Sequence, residues 1–254
     1  MKRAVISDIH SNLEALNAVL EDIQEQGADE IFCLGDVIGY GASPIECLDL
    51  VMSKCKVCLL GNHDQGALFD PEGFNGSAEK AIFWTREVLE RPSARRDVRW
   101  DFINERPRVF HDTVYGMMFV HGSPRNPLNE YIFPEDIYNL RKLEALFSLV
   151  AKYCFMGHTH FPGVFTESGK FFRPDEFNGE RVLNGSGKLM INVGSVGQPR
   201  DGNPDACYVL LDIDEDRISL RYRRVKYDVQ RSADKIFRVP GLDNALGERL
   251  FEGH

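Results

Sequence analysis

Five times along this chain of 254 residues a short apolar run stops at a tight cluster of aspartate, histidine, asparagine and glycine. Residues 3–7 lead into Asp8-Ile9-His10, residues 30–34 into Gly35-Asp36, and residues 56–60 into Gly61-Asn62-His63-Asp64. Residues 117–120 lead into His121-Gly122, and residues 153–156 into Gly157-His158-Thr159-His160. Apolar runs this short read as buried strands. In an open α/β sheet, the segments just past the strand ends gather in one crevice where ligands bind. The pattern therefore demands a fold that collects strand ends, and it predicts that clusters far apart in sequence converge. Asp8 and His10 are two residues apart, as are His158 and His160, a spacing that puts both side chains on one side of extended backbone. Of the seven histidines, only His111 and His254 fall outside the clusters.

The length suits one α/β domain spanning residues 1–254, with a core large enough to need no disulfides. Ser11-Asn12-Leu13-Glu14 has the form of a capping box, and Leu13, Leu16, Leu20 and Ile23 follow at helical spacing until Gly27. Ser43-Pro44-Ile45-Glu46 is a second capping box with proline at the first helical position. The first third is thus β-α-β-α-β, which implies parallel strands with crossover helices. Further helices are predicted over 77–89, 93–103, 229–237 and 242–251. A long amphipathic helix is predicted over 134–151, with Ile137, Leu140, Leu143, Phe147 and Val150 inward. Strands are predicted at 109–110, 117–120, 153–156, 163–166, 170–173, 189–193, 207–213 and 218–224. The polar, Gly-rich stretch 174–188 reads as a surface loop. The later strands alternate less with helices, so part of the sheet structure should be antiparallel.

Hydrophobic residues make up 43% and charged residues 27%, an ordinary globular balance. The formal net charge of -9 argues against a broad nucleic-acid-binding face, so no stable nucleic-acid partner is expected. Cys33, Cys47, Cys55, Cys58, Cys154 and Cys207 lie mostly within apolar runs, as small buried hydrophobes do. Cys55 and Cys58 form a CxxC, but no second pair follows to complete a zinc site. The apolar run over 4–6 is far shorter than the hydrophobic region of a signal peptide, and nothing approaches a membrane span. A cytoplasmic location with reduced thiols is the expectation.

Taken singly, each cluster is weak. A lone histidine after a strand is more often a polar residue satisfied by hydrogen bonds, and Asp8 could be turn chemistry beside Ser11. In order, however, the five clusters resemble the calcineurin-like metallophosphoesterase superfamily. His121-Gly122-Ser123-Pro124-Arg125 and the run Asn192-Val193-Gly194-Ser195-Val196-Gly197-Gln198-Pro199-Arg200 are similar to its bacterial branch near the YfcE-like phosphodiesterases and diadenosine tetraphosphatase-like proteins. The resemblance implies a four-layer α-β-β-α sandwich with two mixed sheets and a dinuclear metal site. It assigns Asp8, His10, Asp36 and His160 to one ion, and Asp36, Asn62, His121 and His158 to the other. Asp36 bridges the two, with a hydroxide as second bridge and nucleophile, and His63 stands apart, facing the leaving group. The donors are nitrogen and oxygen only, which suits manganese foremost, with iron, zinc, nickel or cobalt as alternatives. The chain departs from the protein-phosphatase branch at Gly39 and Tyr40, where that branch carries an acid and a phosphate-gripping arginine.

Two divalent ions, less two carboxylates and a hydroxide, leave one positive charge, which draws a phosphate to the site of an acidic protein without a basic surface. Arg125 and Arg200, each following a proline, are the candidates for gripping a small, nucleotide-like phosphorylated substrate beyond the metals. Three readings stand: a phosphoesterase acting on phosphodiesters or nucleotides, a pyrophosphohydrolase of dinucleoside polyphosphates, and a non-catalytic scaffold on the same fold, as the retromer-type relative is. All seven implied ligands and His63 are present, which favours catalysis over the scaffold.

Overall fold

In the computed structural model, which describes residues 1–183, 187–214 and 217–254, the strands assemble into two sheets of six. The first has the order β3 (Val57–Cys58), β2 (Glu30–Cys33), β1 (Lys2–Ile6), β11 (Ala206–Asp214), β12 (Arg217–Val225), β9 (Glu180–Leu183). The second runs β4 (Val109–Asp112), β5 (Met117–Val120), β6 (Tyr153–Met156), β10 (Leu189–Asn192), β7 (Gly163–Thr166), β8 (Lys170–Phe172). In the first sheet β1, β2 and β3 are parallel and β11, β12 and β9 are joined by antiparallel pairing; in the second β5, β6 and β10 are parallel, and β4, β7 and β8 pair antiparallel. Both sheets are therefore mixed, as expected.

Period-two alternation explains the layers. On β1, Val5 faces the space between the sheets, while Ala4 and Ile6 face the helices. On β11, Val209 and Leu211 go inward and Tyr208 and Leu210 outward. The second sheet does the same, with Phe119, Phe155 and Ile191 toward the first sheet and Val120, Cys154 and Met190 toward its own helical layer. Helices α1 (Leu13–Glu25) and α2 (Pro44–Lys54) cover the first sheet, and α6 (Leu140–Ser148) covers the second. Between them in sequence lie α3 (Asn62–Leu68), α4 (Gly76–Leu89) and α5 (Arg96–Asn104). The closing helices α7 (Val229–Phe237) and α8 (Ala245–Glu252) pack with α4 around Tyr40. At the far end from the clusters, Arg3 of β1 spans the two sheets, bonding Glu30 at 2.6 Å and Asp112 of β4 at 2.9 Å. Among the described residues no helix is long and apolar enough to cross a membrane, and all six cysteines are free.

The structure corrects several local expectations. Ser11 does not cap α1; Asn12 does, its side chain accepting the Ala15 N–H at 3.2 Å. Ser43 stands at the start of α2 but makes no side-chain capping bond. The predicted helix over 93–103 begins only at Arg96. The long helix over 134–151 is two elements, a 3-10 turn Pro134–Tyr138 and α6. Asn139 breaks it: its side-chain oxygen accepts the Lys142 N–H at 3.2 Å and caps a new helix, so Leu140 turns outward and is 60% exposed. The stretch 174–188 is not all loop: Pro174–Phe177 is a 3-10 turn and β9 pairs with β12. Its charged, half-exposed residues are those of an edge strand, which polarity disguises in sequence. Residues 184–186 of that stretch lie outside the described residues.

The two sheets meet through aromatic rings, Phe32 of β2 standing edge-on to Phe119 of β5 with centroids 5.1 Å apart, and Phe155 of β6 stacks on Phe119 within the second sheet at 5.0 Å. Phe155→Ala should cost about 3–5 kcal/mol in urea unfolding, the usual price of a large cavity in a dry core. A cost below about 1 kcal/mol would mean that Phe155 is not closely packed in the layer between the sheets.

Candidate metal centre

Each of the five clusters leaves the carboxyl end of a parallel strand: Asp8 after β1, Asp36 after β2, Asn62 after β3, His121 after β5 and His158 after β6. Docking the sheets brings these ends together, and three groups of ligand atoms lie within 4.8 Å of one another: Asp8, His10 and His160; His10, Asp36 and His63; Asp36, His121 and His158. The expected convergence is therefore present, but the backbone that delivers it is not extended. Asp8, His10, Ser11, Asp36, Tyr40, His158 and His160 all have positive φ, between 47° and 66°. Among the described residues only one other non-glycine residue, Asn178, does so. Left-handed backbone is costly for such residues and concentrates at functional sites. Here hydrogen bonds hold it: Asp8 N–H donates to the Gly35 carbonyl at 3.1 Å, His10 N–H to Asp36 at 3.0 Å, and His158 N–H to Asp8 Oδ2 at 3.0 Å.

The imidazole orientations decide what the centre can bind. His10 Nδ1 lies 3.3 Å from the Ile38 carbonyl, His121 Nδ1 3.2 Å from that of Leu34, and His160 Nδ1 2.5 Å from that of Gln198. A carbonyl accepts only, so each Nδ1 is the protonated nitrogen and each Nε2 presents a lone pair. Those lone pairs face one another and the carboxylates. His10 Nε2 is 3.2 Å from His160 Nε2 and 3.6 Å from Asp36 Oδ2. His121 Nε2 is 3.4 Å from Asp36 Oδ2, 3.0 Å from Asn62 Oδ1 and 3.1 Å from His158 Nδ1. Asp8 Oδ1 is 3.2 Å from His160 Nε2, yet it is buried without a hydrogen bond, as is His158 Nε2. Acceptors crowded on acceptors, all buried, call for positive charge. A nitrogen and oxygen donor set of this kind fits borderline divalent transition metals.

The protonation tendencies express the same demand. Burial alone would lower the His121 pKa, but the Asp36 carboxylate beside it lifts it to about 9, so at neutral pH a proton occupies the Nε2 lone pair that a metal ion would take over. Burial holds His158 at about 3, helped by the charge of His121. His10 is also lowered by burial, and His160 by burial and by the charge of Arg200. Burial would raise Asp8 and Asp36, but neighbouring imidazoles, His160 for the first and His121 for the second, hold both below the ordinary carboxylate range.

His63 lies closer to the centre than the resemblance implies, grouped with His10 and Asp36. Its N–H donates to Asp36 Oδ1 at 2.8 Å, its Nδ1 is buried without a partner, and burial lowers its pKa to about 4. Tyr40, where the protein-phosphatase branch has its arginine, lays its ring 4.4 Å from His63 and 4.7 Å from His10. Gly39, with φ +95°, makes room: a Cβ there would meet His63 Nδ1 at 2.5 Å. Arg200 borders the centre, its Cζ 5.9 Å from the Tyr40 ring. Arg125 is half-exposed and ion-paired to Glu130, its Nε 3.2 Å from the carboxylate, and it makes no contact with the cluster.

Sequence reading missed four residues that shape the centre. Asp64 accepts N–H bonds from Val37 at 3.0 Å, Ile38 at 3.2 Å and Gly61 at 3.1 Å, tying the Asp36 loop to the start of α3. Asn192 holds the loop of His158 and His160 through Gly157 and Thr159. Gln198 orients His160. Tyr131 stacks on His158 at 3.8 Å. Asp64 and Asn192 were visible as polar residues at strand ends; Tyr131 carried no signal.

Two mixed sheets thus gather acidic and imidazole donors at their strand ends in the manner of a metal centre. Residues 1–216 match the calcineurin-like phosphoesterase superfamily domain. An uncharacterised protein of Methanocaldococcus jannaschii is 39% identical over 258 residues, covering 98% of this chain and 97% of its own. The crystal structure of a metallophosphoesterase from Sphaerobacter thermophilus superposes with a TM-score of 0.82 at 34% identity, covering 100% of this chain and 99% of its own. A symmetrical bis(5'-nucleosyl)-tetraphosphatase of Actinobacillus pleuropneumoniae is 27% identical over 156 residues, 58% of this chain and 53% of its own. The chain belongs to the calcineurin-like phosphoesterase superfamily.

Gly61 packs against Asp36, and a Cβ there would overlap the Asp36 backbone nitrogen and Oδ1. Gly61→Ala should therefore lower stability by about 1–3 kcal/mol, as overpacking does, and weaken metal uptake by displacing Asp36. Unfolding and cobalt titration read the two effects; normal cobalt affinity in the variant would mean that Asp36 is not fixed by this contact.

Proposed function

We propose that this protein is a two-metal phosphoesterase, with Asp8, His10, Asp36 and His160 holding one ion and Asp36, Asn62, His121 and His158 the other, and with residues 1–254 acting as one domain. The observation that carries this reading is the set of imidazole Nε2 atoms, each turned from its Nδ1–carbonyl bond toward the two buried carboxylates. Manganese is the first choice of metal for these donors. When bound, such ions polarise phosphoryl oxygens and bring water within reach of ionisation near neutral pH.

The chain's own groups do the rest. Asp36 Oδ2 lies near both His10 and His121, so one carboxylate serves both halves of the centre. Burial excludes bulk water and strengthens every charge interaction within. During hydrolysis an oxygen of water gives up a proton and bonds to phosphorus, the phosphorus–oxygen ester bond breaks, and the departing oxygen takes up a proton. His63, wedged between Tyr40 and Phe74 beside the cluster and kept neutral by burial, is placed to relay that proton from the water to the departing oxygen. Arg200 steadies the anionic substrate from the rim; Arg125, held by Glu130, is the weaker candidate.

A second reading, cleavage of dinucleoside polyphosphates, is supported by the buried, unpartnered Nε of Arg200 and by the likeness to a bis(5'-nucleosyl)-tetraphosphatase. The scaffold reading is disfavoured by the complete donor set.

Metal analysis of the purified protein should find two ions per chain. Asp36→Asn should empty both positions and Asn62→Ala chiefly one; a wild-type protein that holds a single ion after reconstitution with manganese sinks the two-metal arrangement. His63→Ala should keep its metals and lose roughly 10²–10⁴-fold in turnover, the usual worth of a positioned acid. The loss should shrink on substrates with good leaving groups. Parallel loss of metal and activity would make His63 a ligand instead, a role its place beside His10 and Asp36 makes concrete.

A further inference from the structure

One side of the centre carries a ladder of aromatic rings that the chemistry at the metals does not use. Tyr131 stacks on the His158 imidazole, with centroids 3.8 Å apart and planes 21° from parallel. Phe133 lies almost parallel to Tyr131, at 5.5 Å and 6°. Phe161, the residue directly after His160, meets Phe133 edge-on at 6.4 Å. Tyr40, which packs on His10 and His63, is buried. Tyr131 and Phe133 are instead 42% and 41% exposed, although each already has a ring against it. Phe161 is half-buried.

The exposed rings are held firmly. Ile132, between them in sequence, is buried among Leu143, Leu146 and Phe147 beneath the second sheet's helical layer. Phe133 has extended backbone, and alternation along such a chain sends residues 131 and 133 to the side opposite Ile132. Two further bonds pin the segment: Lys142 Nζ donates to the Tyr131 carbonyl at 2.8 Å, and Phe133 N–H to Asp136 Oδ2 at 2.9 Å. Lys142 in turn bonds Asp136 at 2.7 Å, which locks both anchors to the start of α6. Rings fixed in this way lose little freedom when a flat partner docks on them. An aliphatic chain gains only from area on such a surface, whereas another ring gains from stacking as well. Because the ladder begins on the imidazole of His158, the substituent of a phosphoryl group held at the centre has these rings within reach.

We propose that Tyr131, Phe133 and Phe161 form an aromatic subsite that takes a planar ring carried by the substrate, of the kind a nucleotide base supplies. The subsite selects ring-bearing phosphate esters over aliphatic ones. The inference rests on the reading of the His and Asp cluster as the hydrolytic centre. The competing role for the same rings is to brace His158 without touching substrate.

The test is calorimetric titration of the manganese-loaded protein with benzylphosphonate and with cyclohexylmethylphosphonate. Their P–C bonds resist hydrolysis, and they differ chiefly in whether the ring is flat. The wild type should bind the benzyl compound at least about threefold more tightly. Phe133→Leu and Tyr131→Leu, which keep apolar bulk, should each lose most of that discrimination. Phe133→Leu separates the two roles, because the ring contacts of Phe133 are Tyr131 and Phe161. Should one variant fail to fold by circular dichroism, the other, or Phe161→Leu, asks the same question. No discrimination in the wild type, with manganese binding weakened by Tyr131→Leu, establishes bracing and overturns the subsite. Discrimination that survives in the folded variants overturns it too. A parallel screen of phosphate esters keeps the two ideas apart: no hydrolysis with the discrimination intact overturns the hydrolytic reading alone, and hydrolysis without the discrimination overturns the subsite alone.

Discussion

Three imidazole Nε2 atoms and two carboxylates face one another at buried positions, and only positive charge, from protons or metal ions, reconciles them. Each part of the surrounding structure can be read as holding that unfavourable arrangement in place. Backbone carbonyls of Leu34, Ile38 and Gln198 fix the histidine tautomers, so the nitrogens cannot escape by exchanging protons. Those carbonyls sit just past strands of both sheets, so the sheets must be docked before the tautomers are set. Desolvation makes the arrangement costly in the absence of a cation and correspondingly selective for one in its presence.

The same docking explains how seven residues at the centre tolerate left-handed backbone. Such conformations cost of order 1–3 kcal/mol each and persist only where neighbours over-determine them. Here the loops after β1 and β2 bond to each other, and the loop after β10 bonds to the first, with Val196 N–H on the Ser7 carbonyl at 3.0 Å and Gly197 N–H on Asp8 at 2.9 Å. The dry aromatic layer between the sheets and the Arg3 bridge at the far end supply the rigidity against which this strain is held.

The centre was legible in the sequence because its signal is redundant: apolar runs ending in Asp, His, Asn and Gly repeat five times, and each repeat marks one strand end. The fold was legible where period and punctuation agreed, as in β1 to α2. Legibility failed where one residue's local bonding outweighed a periodic pattern. Asn139 split a helix because its side-chain oxygen competes for a backbone N–H, and periodicity cannot see that competition. The strand β9 hid behind its charged edge. The spacing of Asp8 and His10 led to the right convergence through the wrong backbone, because left-handed turns also bring alternate residues together. Tyr131 was silent, since an aromatic ring beside a metal centre looks in sequence like any other apolar residue.

Asp8 illustrates a consequence of building one centre from so many strand ends. Its side chain accepts from His158, 150 residues later, and its carbonyl from Ser195, 187 residues later. The first half of the chain therefore cannot complete the centre on its own, however well its parallel strands form. Loop-closure entropy delays contacts of such separation during folding. The chemistry of this molecule is thus made by its most distant contacts, and a metal that binds only the finished centre draws the folding equilibrium toward it.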